Sequence, residues 1–223
     1  MTYGIKIKNN KSEIQIDDSY VNYVFNGQED SVTLNGTSSI ALTNPSKYPP
    51  IILIRPTDSN NDRGCGVFDY TYSSPNYTHF RIFGGKLATG SDTCDFDYRV
   101  YTISDTISSD VYGLRIKRSD GRIVYDCGQR PFKIVEVGNP TVGTTYTHSS
   151  HSNPWYIFSP WLSGIIGIYT PPQGPVYRLV MGLAKQSSTS VKGIWIVAQL
   201  LGLTNLNFTS YQDTTFNLLI CDI

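Results

Sequence analysis

The sequence predicts an all-β protein made of two β-sandwich-like domains related by duplication, each opening with a β-hairpin. Three observations carry that prediction: a gapless internal repeat, a composition poor in helix formers, and short apolar segments recurring about every ten residues. Tyr3 to Asp17 aligns without gaps on Tyr112 to Asp126. Tyr3/Tyr112, Gly4/Gly113, Ile7/Ile116, Lys8/Lys117, Ile14/Ile123 and Asp17/Asp126 are identical, and Ile5/Leu114 and Lys6/Arg115 are conservative exchanges. In a chain of 223 residues this spacing predicts two units, 1–105 and 106–223, joined by the Ser/Asp/Thr-rich stretch Ser104 to Val111.

Composition points the same way. Ala occurs only at 41, 88, 184 and 198, and Glu only at 13, 29 and 136, whereas there are sixteen Tyr. Ala and Glu favour helices, while Tyr, Thr, Val and Ile suit a pleated, half-buried surface. Formal net charge is zero and 16% of residues are charged, so no basic face is on offer to nucleic acid. No nucleic-acid partner is expected.

Within each repeat copy the apolar residues alternate. Ile5, Ile7, Ile14 and Ile16 share one phase, and Lys6, Lys8, Glu13 and Gln15 the other. An even-numbered connection would pair Ile7 with Ile14 and Ile5 with Ile16. In the second copy it would pair Ile116 with Ile123 and Leu114 with Tyr125. Arg118-Ser119-Asp120-Gly121 suits a four-residue loop with Gly121 in the left-handed position. Ser12 at the matching place predicts a looser or shifted first turn. Further strands are expected over 31–34, 39–42, 51–55, 67–71, 78–83 and 96–103, with turns at 57–64 and at Gly84-Gly85-Lys86. The second half predicts strands over 133–137, 155–158, 165–169, 176–184, 192–201 and 215–223. Its close, Phe216 to Ile223, echoes Phe96 to Ile103.

Cys65, Cys94, Cys127 and Cys221 show no Cys-x-x-Cys spacing. The first residues, Met-Thr-Tyr-Gly-Ile-Lys, lack the apolar run of a signal peptide. Reduced thiols in a cytosol are therefore expected. The longest apolar stretches, Trp161 to Tyr169 and Ile194 to Leu203, are too short and Gly-broken for a bilayer span, so no membrane insertion is expected.

No catalytic signature stands out, neither a nucleophile elbow nor a phosphate-cradling loop nor a zinc-protease motif, and no enzyme, catalytic residue or cofactor is expected. His148 and His151 could ligate a metal only with further ligands converging on them, and nothing in the sequence brings His79 near; no metal is expected. The candidate contact surface is Tyr146, His148, His151, Trp155, Tyr156 and Trp161. Aromatics set among Ser and Asn supply large, low-entropy contact area and stacking platforms for sugars. The competing reading is that Trp155 and Trp161 are core anchors. The run from Gly193 to Leu201 reads as a buried strand or an oligomer interface.

The twice-occurring Tyr-Gly-[Ile/Leu]-x-Ile hairpin ending in Asp, with Phe96-Asp97-Tyr98-Arg99-Val100 between its copies, resembles small tail-tip or tail-fibre proteins of tailed bacteriophages. The likeness covers residues 1–20 and 96–137. It implies a virion structural protein of the phage tail, assembled in the host cytoplasm as a homo-oligomer, often a trimer. Its implied partners are other tail proteins and a bacterial surface glycan or outer-membrane receptor, and its implied role is host attachment. A purely structural tail adaptor and a carbohydrate-binding β-sandwich module are the alternatives, and the resemblance supplies no catalytic residues.

Overall fold

The computed structural model describes residues 6–8, 14–17, 23–86, 92–103, 114–117, 123–126, 128–129, 133–148, 151–158, 167–169, 176–201 and 215–223. Among them are seventeen strands and no helix. The chain is all-β and sandwich-like, as its composition and alternation predict.

The first half contributes the hairpin β1 (Lys6–Lys8) and β2 (Ile14–Asp17). It continues with β3 (Tyr23–Leu34), β4 (Gly36–Ser46), β5 (Ile51–Pro56), β6 (Arg63–Ser73), β7 (Asn76–Lys86) and β8 (Cys94–Ile103). The second half contributes the hairpin β9 (Arg115–Lys117) and β10 (Ile123–Asp126). Then follow β11 (Lys133–Gly138), β12 (Thr145–Thr147), β13 (Trp155–Phe158), β14 (Gly167–Tyr169), β15 (Val176–Ser187), β16 (Ser190–Leu201) and β17 (Leu218–Asp222). One sheet runs β11-β17-β13-β5-β8-β3. The other runs β12-β16-β15-β6-β7-β4, with β14 alongside β15. The hairpins form two separate two-stranded sheets.

That order contains a duplication. The first half lays down β3-β8-β5 in one sheet and β4-β7-β6 in the other, the nested-hairpin connectivity of a reduced jelly roll. The second half lays down β11-β17-β13 and β12-β16-β15, the same order with the same roles. The two rolls then join edge to edge. β5 meets β13 at the pair Tyr156↔Ile54, and β6 meets β15 at Leu183↔Cys65, both antiparallel. An antiparallel pairing of equivalent strands is what a two-fold relation between the halves requires. The joined sheets enclose a core drawn from both halves, including Ile54, Phe80, Phe96 and Val100 with Met181, Leu183, Phe216 and Ile220.

The echo between the closing strands is structural. Phe96, Tyr98, Val100 and Tyr101 are buried, with Asp97 and Arg99 less so. Phe216, Leu218, Ile220 and Cys221 are buried in the same rhythm, with Asn217 and Leu219 between them. Each Phe also meets a glycine of the opposite sheet. A Cβ on Gly84 would come 3.1 Å from the Phe96 ring, and one on Gly193 would come 2.6 Å from the Phe216 ring. Gly84 pairs with Cys65 and Gly193 with Leu183, the two residues that meet where the rolls join. The repeat thus extends from the hairpins into the packing of the core.

Three expectations are corrected. The hairpins take a bulged register instead of the plain alternation. Ile7 faces Ile16 and Lys8 faces Ile14, while Ile116 faces Tyr125 and Lys117 faces Ile123. An odd number of connecting residues is absorbed by an extra residue on the second strand of each copy. The register of the flanking strands is identical in the two copies; the turn residues 9–13 and 118–122, on which the expectation of a looser first turn falls, lie outside the described residues. Leu114 is exposed and so leaves the expected buried face, while Ile116 and Ile123 are buried. Finally, Gly84 and Gly85 are strand residues of β7 and not a turn. Gly84 is bare because the sheets close on it, and Gly85 has φ +143°. The predicted connector 104–111 lies outside the described residues.

Candidate functional site

A cleft of about 640 Å³ lies at one end of the first roll. It forms where Pro49 and Pro50 lead into β5 and the long β6–β7 hairpin passes beneath. Pro lacks an N–H to add to a sheet, so pairing stops there and the sandwich end stays open. Tyr23, Tyr70, Tyr72 and Tyr77 line the cleft together with Ile51, Ile52, Val67, Phe68 and Asp69, and Ile157 is the second half's contribution. The turn between β6 and β7, Ser74–Pro75, has a cis peptide bond.

The tyrosines divide between depth and rim. Tyr70 and Tyr77 pack against the core, edge to face with centroids 6.4 Å apart. Burial raises the Tyr70 phenol well above its ordinary pKa, so it stays protonated as a hydrogen-bond donor. Tyr72 leans on Tyr77 with centroids 5.1 Å apart and is 55% exposed, which presents a ring face to solvent. Tyr23 donates from its hydroxyl to the carbonyl of Pro49 at 3.1 Å, which fixes its ring beside the mouth. Asp69 supplies a carboxylate there and is paired with Arg81, whose guanidinium lies 4.6 Å from the centre of the Phe68 ring. The arrangement offers apolar ring faces rimmed by a few hydroxyls and one paired carboxylate. Such a set stacks on a flat apolar face of a ligand and orients its hydroxyls.

A second, polar concavity of about 280 Å³ lies on the outer face of the β5–β8–β3 sheet. Arg55 and Arg99 both stack on Trp155, at 4.5 and 5.2 Å from its ring centre. Arg55 donates two hydrogen bonds to Asp97, at 2.6 and 2.9 Å, and Arg99 pairs with Glu29. Both cations are already matched by carboxylates, and Asp30 adds another, so this ledge holds the sheet face together and leaves no net positive charge for an anion.

The described members of the six-residue surface proposed from sequence are not all exposed. His148, Trp155 and Tyr156 are buried. Trp155 packs with Leu53, Tyr101 and Cys221, and Tyr156 joins the main core, so their rings are used in packing. Nε2 of His148 is hydrogen-bonded to the Tyr156 hydroxyl at 2.9 Å, and its Nδ1 has no partner among the described residues. Burial lowers the His148 pKa below its ordinary value, with the Glu136 carboxylate opposing and His151 reinforcing the shift. Tyr146 is half-buried and donates to Oε1 of Glu136 at 2.6 Å, which together with burial pushes its pKa up to about 12. His151 is half-buried, and Trp161 lies outside the described residues. Large aromatics are at once the best core fillers and the best contact residues, and sequence alone does not separate those uses. The cleft tyrosines were missed, although Tyr70-x-Tyr72 with Tyr77 across a short turn was the available signal.

Among the described residues no three His, Cys, Asp or Glu side chains converge as a metal site, and no helix is long and apolar enough to cross a membrane. Fold and cleft together define a duplicated β-sandwich-like protein with an aromatic-lined cleft on its first roll. The chain matches no known protein family, no curated protein and no solved structure.

Proposed function

We propose that the chain is a non-enzymatic structural protein of a bacteriophage tail tip or fibre that contributes to host attachment. The observation that carries this reading is the pair of hairpins. The motif that resembles tail proteins occurs twice, with one register, at the opening of each of two equivalent rolls. The sheet edge is also suited to assembly. The outermost strand β11 displays Ile134 and Val137, which are 46% and 60% exposed, as candidate contacts for a neighbouring subunit. Immunogold labelling of tailed particles with an antibody to the purified chain tests the reading. Label at the tail tip or fibre is expected, and particles that lack the protein altogether would overturn it.

A second reading, a glycan-binding module that works as a monomer, is favoured by the tyrosine cleft. The two readings differ in mass. A tail trimer should weigh about 75 kDa in solution, three times the 24.9 kDa chain, and the module 24.9 kDa. In either case Tyr72→Ala should weaken binding on a glycan array by roughly 10-fold, the worth of one stacked ring. Unchanged glycan binding in that variant would remove the cleft from the account.

A further inference from the structure

The two rolls end the rows of side chains that cross one face of their shared sheet in different ways. In the second half Trp155 pairs with Cys221 and Cys221 with Ile134, while Ile157 pairs with Leu219 and Leu219 with Val137. Trp155, Cys221, Ile157 and Leu219 pack together in a cluster apart from the main core. Both rows then run out on the open edge of β11 at Ile134 and Val137, which are exposed. In the first half the equivalent rows are Leu53 to Arg99 to Glu29 and Ile51 to Tyr101 to Phe25. Arg99 closes both of them. It pairs with Glu29, and its guanidinium lies 4.8 Å from the centre of the Phe25 ring. The adjoining edge strand β4 is capped as well, because the Gln28 amide donates to the Ala41 carbonyl at 2.8 Å and accepts from the Thr43 N–H at 3.0 Å. Charges and caps of this kind keep an edge strand from recruiting another. Among the described residues no ion pair or side-chain cap covers Ile134 or Val137.

The sequence of β11 also fits a copy of itself. An extra residue falls between Ile134 and Glu136, and the two residues that follow Ile134 both turn inward. Val135 packs on the main core, and Glu136 accepts from the Tyr146 hydroxyl of the opposite sheet. Ile134 and Val137 therefore share the outer face with two inward residues between them. Laid antiparallel on a second copy, such a strand has one register that sets both outward residues opposite outward ones. Ile134 of each copy then meets Val137 of the other. The contact is isologous and closes at two copies. The same geometry already joins the rolls, whose equivalent strands meet antiparallel at β5–β13 and β6–β15. Pairing would carry each row from Trp155 through Cys221 and Ile134 into Val137, Leu219 and Ile157 of the second copy.

We propose, on the reading of β11 as an assembly edge, that two copies of the chain join by antiparallel pairing of β11 with β11 across a two-fold axis. Main-chain hydrogen bonds hold the strands, and the two Ile134–Val137 cross-strand pairs fix the register. The strand is six residues long, so the contact is small and the association depends on concentration.

Sedimentation equilibrium over a concentration series tests the pairing on the wild type and two double variants, Ile134→Lys with Val137→Lys and Ile134→Lys with Val137→Glu. Both positions are exposed, so the variants should melt with the wild type in circular dichroism. The wild-type mass should rise to twice that of the two-lysine variant, in which like charges face each other. For a chain with no other contact that is about 50 kDa, twice 24.9 kDa, and the factor of two holds equally for a trimeric unit. The Lys/Glu variant sets opposite charges in both cross-strand pairs and should regain the doubled mass at low salt and lose it at high salt. A wild type that never doubles, or one whose doubling survives the two lysines, would overturn the proposal, and a Lys/Glu variant that stays undoubled at low salt would overturn the register. A trimeric mass shared by the wild type and the two-lysine variant would sink the β11 pairing alone, whereas absence of the chain from tailed particles would sink the tail reading alone.

Discussion

The two halves of the molecule share a plan and differ in how they carry it out. Both lay three strands into each sheet in the same order, and both set a glycine against a core phenylalanine. The first half uses long paired strands, 12 residues in β3 and 11 in each of β4, β6 and β7. The second half concentrates its length in β15 and β16, at 12 residues each, and trims β12 to 3 and β13 to 4. Long strands in the first half carry the β6–β7 hairpin far enough to floor a cleft, and among the described residues the second half adds only Ile157 to it. Duplication preserved the core contacts that hold the sheets together, while the sandwich end, where pairing can stop, diverged.

The sharpest way to break this comparison is to remove its matched anchors. Phe96→Ala and Phe216→Ala should each cost about 3–5 kcal/mol in urea denaturation, because each deletes a buried ring and leaves a cavity. A loss confined to one of the two would mean that the burial rhythm is shared without shared roles. Next in size are the glycines. Gly84→Ala and Gly193→Ala should each cost about 1–3 kcal/mol, since the added methyl meets a packed ring. Adding Phe216→Leu to Gly193→Ala should recover part of the loss, which a double-mutant cycle would measure.

A pH effect should be confined to the second half. His148 is held neutral by burial, so the unfolded chain binds a proton more readily than the folded one. Stability is then present above the ordinary histidine pKa of 6.5 and is lost as pH falls through and below it. Glu136 and His151 face the same site and oppose and assist the effect respectively. Chemical denaturation between pH 7.5 and 5 should show the fall, and His148→Gln should flatten it. The smallest effect belongs to the first half's surface. Arg81→Ala should cost about 0.2–1 kcal/mol, because the Arg81–Asp69 pair is 41% exposed on both sides and is screened by water.

Sequence reasoning found the strands because alternation of Phe96, Tyr98 and Val100 with Asp97 and Arg99 is a period-two signal that burial obeys. It found the duplication because the hairpins kept residue identity. It missed β12, whose three residues are too few to show a period. Gly84-Gly85 reads as a turn because glycine serves both turns and close approach, and only the facing ring tells which. The hairpin register was lost for a related reason, since one inserted residue leaves the spacing of the isoleucines unchanged. For the site, Trp155 and Tyr156 were rightly noticed as unusual but belong to the interior. Which aromatic lies at an open sandwich end depends on where Pro49 and Pro50 halt the pairing, a long-range property of the fold.

The central claim is that two equivalent rolls share their sheets and behave as one sandwich. All three tryptophans, Trp155, Trp161 and Trp195, lie in the second half, so tryptophan fluorescence reports that half while far-ultraviolet circular dichroism reports the whole chain. Urea unfolding of the reduced protein followed by both signals tests the claim most directly. The account predicts a single transition with coincident midpoints. A fluorescence transition displaced from the dichroism transition, with half the chain unfolding alone, would contradict it.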